Sequence, residues 1–339
     1  MSLRRLLFLL LLTLPLISCR RGIGGGEDPG TGARWFSLDS NAVVLISPFD
    51  GSRDTIPTDR PVRSLVCMST SYVGYLSAIG AEDAVTGVSG LSYVSNPSVR
   101  ERAVEVGYDA APDYEGILSL RPNLVVAYTV SAAEPRFLGV LRSLGVRVAL
   151  VNDHLESHPL ARAEYIRLFG ALTGRRPMAD SVYAAVCEAY ENQRVAGGPR
   201  KKVLVNIPYG DQWFIPGGGN YMTRLIGDAG GLVLGAQPGE SESSVISVEK
   251  AYSLAQEADV WLHPGWCKSR ADLLSAHPLF SGFPIDRMLI YNNNRRQAPG
   301  GGNDFWESGA ARPDLLLKDL VRVFRGEDTD SLTYYLKLE

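Results

Sequence analysis

Cysteine and histidine are scarce in this 339-residue chain, four of each, and with them most metal and redox chemistries fall away. Past Cys19 the thiols are Cys67, Cys187 and Cys267. So widely spaced, they make neither a disulfide framework nor a paired zinc motif, and each reads as a small buried hydrophobe. His154 and His158 stand four residues apart, but Pro159 follows at once, no HExxH occurs, and His263 and His277 are distant in sequence. A first-row metal site wants three or four convergent ligands, so none is expected. Phosphate-cradle and acyl-transfer signatures are missing as well. Gly217, Gly218 and Gly219 lead into a predicted helix without the GK[ST] of a P-loop or the GxGxxG order, and no GxSxG elbow is present. That run and Gly300, Gly301 and Gly302 read as loops. Asp304 and Glu307, on either side of Trp306, read as anchors of the C-terminal segment rather than a catalytic carboxylate pair. No catalytic constellation emerges, and an enzyme is not expected. Nor is there an excess of positive charge: the net charge is −3, without the basic stripe of a nucleic-acid partner.

What is present is an ordinary globular composition, 45% hydrophobic and 21% charged, with enough chain for two cores. Arg4 and Arg5 precede an apolar run, residues 6–17, too short to span a membrane as an ordinary helix. The run ends Leu16-Ile17-Ser18-Cys19, which resembles the lipobox of bacterial lipoproteins. That resemblance implies a signal peptide over residues 1–19 and a lipidated Cys19 as the mature N-terminus. The protein would then be anchored in the cell envelope, facing the periplasm or the cell surface. Residues 20–34 contain GIGGGEDPGTG, a flexible tether. Residues 35–46 alternate apolar and polar, suggesting one or two strands, and residues 51–60, polar and holding Pro57, read as a loop. Tether and N-terminal extension together occupy 20–60.

The chain is organised around residues 177–195, PMADSVYAAVCEAYENQRV. Val182, Tyr183, Val186, Cys187 and Tyr190 recur at spacings of three and four, the mark of a helix with one apolar face. Pro177 suits a first turn, and Ala196-Gly197-Gly198-Pro199 stops it. Nineteen residues would give a rod of roughly 28 Å. On each side, apolar runs alternate with helical patterns: 62–66, 85–88, 124–127 and 146–151 before the rod, 202–207, 213–215, 259–262 and 288–291 after it. Alternation of this kind predicts a parallel sheet covered on both faces. The expected fold is α/β, two Rossmann-like lobes (61–176 and 197–326) joined by one long bridging helix (177–196), with a cleft between them and a tail at 327–339.

Open α/β sheets bind ligands in the crevice at the carboxyl ends of their strands. Ser69, Thr70, Ser71, Tyr93, Tyr108, Tyr128, Tyr209, Trp213, Trp266, Lys268 and Arg270 fall at such ends. The loop Asn292-Asn293-Asn294-Arg295-Arg296 joins them, and Trp213, Tyr128 and Trp266 stand out. Aromatic faces suit a flat conjugated ligand, and Arg or Lys suits its carboxylates.

Several stretches resemble one family. PVRSLVCMSTSYVGYLSAIGAEDAVTGVSG, YEGILSLRPNLVVAY, DQWFIPGGGNYMTRLIGDAGG and VISVEKAYSLAQEADVWL follow the order and spacing of the helical-backbone Fe/B12 periplasmic binding proteins. YNNNRRQAPGGGNDFWESGAARPDLLLKDL and the terminal YYLKLE resemble an iron-complex branch found in Bacteroidetes lipoproteins. The resemblance runs from about Pro61 to Phe324. It implies a monomeric substrate-binding lipoprotein that captures a ferric siderophore, haem or similar iron complex. It implies no intrinsic cofactor and no nucleic-acid partner. Delivery would be to an ABC permease dimer with its ATPase, and the modest closure of two lobes on a stiff helix would hold the cargo. Glu115 and Glu249, one on each lobe, match the family's glutamates that meet permease arginines. Read from position alone, each is also an acid favoured at a helix start. Cobalamin is the alternative cargo; in that branch a Trp stands six residues before each docking glutamate, where this chain has Asp109 and Ser243. A further alternative is a surface lipoprotein that captures ligand without an ABC permease.

Overall fold

The computed structural model describes residues 32–327 and 330–339. The signal segment, Cys19 and residues 20–31 of the tether lie outside the described residues; the last residues read as tether, Ala33 and Arg34, bond through their N–H groups to Glu164 and Glu156. The extension is a three-stranded antiparallel sheet, β1 (Phe36–Leu38), β2 (Ala42–Ile46) and β3 (Arg53–Pro57), in that order. The third strand corrects the loop expected at 51–60. Its alternating Asp54, Thr55 and Ile56 bury Ile56 against the first lobe, and Pro57 is tolerated at the end of an edge strand.

The first lobe begins with β4 (Leu65–Cys67), α1 (Thr70–Ala78), β5 (Val85–Val88), α2 (Pro97–Arg102) and β6 (Val104–Glu105). A small hairpin follows, β7 (Gly107–Tyr108) with β8 (Ala111–Pro112), then α3 (Tyr114–Ser119), β9 (Leu124–Ala127), α4 (Arg136–Ser143) and β10 (Val148–Leu150). The sheet is parallel, ordered β10-β9-β4-β5-β6. Every residue of β4 and β9 is buried, which is why these runs are continuously apolar rather than alternating. Ser69 caps α1 and Asp113 caps α3, each side chain accepting a first-turn N–H.

Two helices, α5 (Pro159–Ala163) and α6 (Tyr165–Thr173), lead to α7 (Arg176–Glu191), the rod between the lobes. It is 16 residues long, roughly 24 Å, shorter than its apolar spacing predicts. Its end is pulled aside: Gln193 and Arg194 turn back on Tyr190 and Glu191, and the Val195 N–H bonds to the Asp228 carbonyl of the second lobe.

The second lobe comprises β11 (Lys201–Val205), β12 (Gln212–Ile215), α8 (Tyr221–Asp228), β13 (Gly231–Val233), β14 (Ser244–Ser247) and α9 (Val248–Ala255). After these come β15 (Val260–Leu262), α10 (Arg270–Ala276), β16 (Leu289–Asn292), α11 (Ser308–Ala311), α12 (Pro313–Arg325) and β17 (Leu336–Lys337). Its sheet runs β13-β11-β15-β16-β17, with β17 alone antiparallel. The stretch read as a tail therefore closes the sheet edge, and Tyr334, Tyr335 and Leu338 are core residues. In α12 the residues Leu316, Leu317, Leu320, Val323 and Phe324 face that core, and Gly326, in the left-handed region, ends the helix.

Candidate functional site

Strand order locates the site. In the first sheet the chain steps outward on one side of β4 (β5, β6) and later on the other (β9, β10), so its direction reverses between β4 and β9. In the second, β13 flanks β11 on one side and β15 on the other, so the reversal lies between β11 and β15. Ligands bind at such points, outside the carboxyl ends of the strands. The loops involved carry Ser69, Thr70 and Ser71 after β4, Tyr128 after β9, Tyr209 after β11 and Trp266 after β15.

Both sets of loops meet at one seam. The Gly300 N–H, beyond β16, bonds to the Ser92 carbonyl beyond β5 at 2.9 Å. Arg162, in α5 beyond β10, holds its guanidinium 4.9 Å over the Tyr221 ring at the start of α8. The same guanidinium pairs with Asp153 at 3.0 Å, and Asp153 also accepts from the Tyr75 hydroxyl at 2.9 Å.

On the first lobe, Tyr93 and Tyr108 are 43% and 49% exposed, their ring centroids 6.4 Å apart. Burial and the neighbouring Tyr93 and Glu105 push the Tyr108 phenol up from its ordinary value. Tyr128 is half-buried, edge-on to His154 with centroids at 5.5 Å. Burial, and secondarily Asp109, raise the Tyr128 phenol, while burial lowers the His154 imidazole from its ordinary value. Ser71 is buried with its hydroxyl 3.0 Å from that of Ser69, and Thr70 is partly exposed on the first turn of α1.

On the second lobe, Tyr209 and Trp266 are 84% and 62% exposed. The backbone departs from each central strand in the left-handed region, at Asn206 (φ 68°) and His263 (φ 60°), an uncommon geometry for non-glycine residues. Both turns are pinned: Asn206 donates its amide to the Phe214 carbonyl at 2.8 Å, and His263 Nε2 meets the Tyr335 hydroxyl at 2.9 Å. Burial lowers His263 to about 4, so its ring is a neutral structural group. Asn292 grips the carbonyls of Gly265 and Cys267, on either side of Trp266, at 2.9 and 2.7 Å. The asparagine loop thus supports a cleft residue.

Three expected cleft residues lie elsewhere. Trp213 is fully buried, stacked with Phe283 and tilted against Trp261, and its indole N–H donates to the Val205 carbonyl at 2.8 Å. It is core because β12 turns residues 213 and 215 inward. Arg270 donates to the carbonyls of Leu338, Met288 and Ile285, tying α10 to the sheet edge. Arg295 is turned toward the C-terminal segment, its guanidinium on the Asp330 carbonyl. Lys268 is exposed beside Trp266. Glu115 and Glu249 are exposed in the first turns of α3 and α9, and the Ser247 hydroxyl draws the Glu249 carboxyl below its ordinary value.

A separate hollow of about 610 Å³ lies between the Ser47 to Asp54 end of the extension and β10. Of its three arginines, Arg147 is paired with Asp54 and Arg142 with Glu134. Among the described residues no group of three or more His, Cys, Asp or Glu could hold a metal ion, and Cys67, Cys187 and Cys267 are free thiols. No helix of the described residues is long and apolar enough to cross a membrane.

The family pattern described as periplasmic binding protein matches residues 65–285, more than half of the chain, from β4 to just before β16. The chain belongs to the periplasmic binding protein family. Its fold is that of a periplasmic heme binding protein from Pseudomonas aeruginosa (TM-score 0.64, 20% identity, 82% of this chain and 98% of that one). A periplasmic vitamin B12 binding protein of Vibrio cholerae superposes with a TM-score of 0.57 at 15% identity, over 78% of this chain and 97% of that one. In sequence, an uncharacterized lipoprotein of Methanocaldococcus jannaschii is 22% identical over 287 residues, 79% of this chain. This binding protein spans 66% of that relative's length. Members of the family are solute-binding components of the cell envelope that work with ABC importer permeases.

Proposed function

We propose that this binding protein captures an iron chelate or haem in the cleft and delivers it to an ABC permease. One observation carries the reading. Exposed aromatic rings stand at the strand-end connections of both lobes, Tyr93 and Tyr108 on the first, Tyr209 and Trp266 on the second. Flat rings on two walls suit a flat conjugated ligand, and exposed phenol oxygens are donors that ferric iron accepts. The cargo brings its own metal. Full-length chain in nanodiscs, titrated with ferric haem, cyanocobalamin and a ferric siderophore, is expected to show saturable tryptophan quenching with one of the iron complexes. Tyr209→Ala and Trp266→Ala should each weaken that ligand about tenfold, the loss of roughly 1.5 kcal/mol of ring contact. Saturation by cyanocobalamin alone would reassign the cargo to a corrinoid, and a flat response to all three would remove the proposal.

Docking rests on Glu115 and Glu249, and Cys19 supplies the lipid anchor. An exposed ion pair contributes about 0–1 kcal/mol, so the two glutamates orient and steer the docked protein more than they hold it. The double variant Glu115→Ala, Glu249→Ala should lower ligand uptake by whole cells by up to about thirtyfold, with ligand affinity unchanged. Undiminished uptake would instead point to capture without a permease.

A further inference from the structure

The segment between β16 and α12, residues 293–312, does not stay on its own lobe. The Asn303 amide bonds to Asn293 at 3.1 Å and Phe305 joins the second-lobe core, which fixes one end. The other end crosses: Ala310 and Ala311 belong to the core of the first lobe, and α11 packs on α1 so closely that a Cβ at Gly74 would run into the Glu307 carbonyl. Between these ends lie three contacts with the loop that bears Tyr93. The Gly300 N–H bonds to the Ser92 carbonyl, and Gly302 sits against the Tyr93 backbone where no side chain would fit. The Glu307 carboxylate, itself 2% exposed, accepts the Ser95 N–H at 2.5 Å and the Asn96 N–H at 2.9 Å. The whole of this segment lies beyond the stretch that matches the family pattern.

We propose that residues 297–307 of the second lobe form a strap that sets the Tyr93 loop of the first, and that Glu307 is a positioning residue for ligand capture through Tyr93. The inference rests on the cleft reading above. A ligand ring held by Tyr93 would feel the state of the strap, because the backbone on both sides of Tyr93 is bonded to it.

The carboxylate gives the strap a pH dependence. Burial raises Glu307 from 4.5 to about 7; Asp304 adds to the rise, while the Ser95 and Asn96 N–H groups and Arg100 oppose it. Asp304 is itself paired with Arg296 at 3.0 Å, and the Arg100 guanidinium also holds the Val94 and Ser95 carbonyls. With the strap open the carboxyl is in water and titrates near 4.5, so closing takes up a proton between 4.5 and about 7. The closed strap is therefore favoured as pH falls and loosens as pH rises.

Hydrogen exchange and haem titration of the full-length chain in nanodiscs test this together. Opening measured at the Ser95 and Asn96 amides should increase roughly 50- to 100-fold from pH 5 to pH 8 in the native chain and be flat in Glu307→Gln. At pH 7, Glu307→Ala should weaken ferric haem about tenfold, and should add no further loss in a Tyr93→Ala background. A flat native exchange profile, or equal losses in both backgrounds, overturns the proposal. A chain that binds no ferric haem but keeps the exchange profile removes the cargo reading and the capture role with it, while showing that the strap itself is as described.

Discussion

Arg162→Met is expected to destabilise the protein by about 3–5 kcal/mol, because it leaves a buried carboxylate without its counter-charge. The Arg162 and Asp153 side chains are 10% and 3% exposed, and their 3.0 Å contact lies at the floor of the seam. Removing the guanidinium also removes the cation over Tyr221, which links the two lobes. Chemical denaturation of the variant should show the loss as a lower midpoint. The double variant Asp153→Asn, Arg162→Met should recover a large part of it, since the uncompensated charge has gone. Equal losses in single and double variants would mean that packing, not charge, sets the cost.

Trp213→Ala should cost about 3–5 kcal/mol through the cavity it leaves. For a chain of this size that corresponds to a fall in Tm of about 4–7 °C. The ring is enclosed by Trp261, Phe280 and Phe283, with centroids 5.7 to 6.1 Å away, and its N–H has a carbonyl partner that would be orphaned. Ligand affinity at temperatures where the variant is folded should stay within about twofold, a small fraction of the 1.4 kcal/mol that a tenfold change requires. Lost affinity with unchanged Tm would return Trp213 to the cleft.

These two residues mark where the sequence is legible and where it is not. Strands such as Leu124–Ala127 are apolar throughout because both faces are covered, so their positions and the α/β class are plain in the sequence. Arg53–Pro57, Ser244–Ser247 and Leu336–Lys337 escape notice because edge or flap strands with a wet face carry little apolar signal. Trp213 stands near the start of β12 rather than at a carboxyl end, and the sequence does not say which face of that strand is covered, which depends on pairing with β14. Arg270 has the charge expected of a ligand contact, yet its carbonyl partners lie as far along the chain as Leu338. The partners of Glu307 are more than 200 residues away, and no local pattern encodes them. Tyr93, Tyr209 and Trp266 lie four or five residues beyond β5, β11 and β15, and Tyr108 ends β7; all four are exposed, and their role as ligand contacts is proposed.

The extension gives the molecule a mechanical polarity. The Ala33 N–H bonds to Glu164, the Arg34 and Trp35 N–H groups to Glu156, and Phe36 packs on Tyr165, all on the first-lobe side of α7. Arg176, at the base of α7, holds the Asp39 carbonyl at 2.7 Å. A load arriving through Gly32 is thus carried by the first lobe and the foot of the rod, and reaches the second lobe only through the contacts between the lobes.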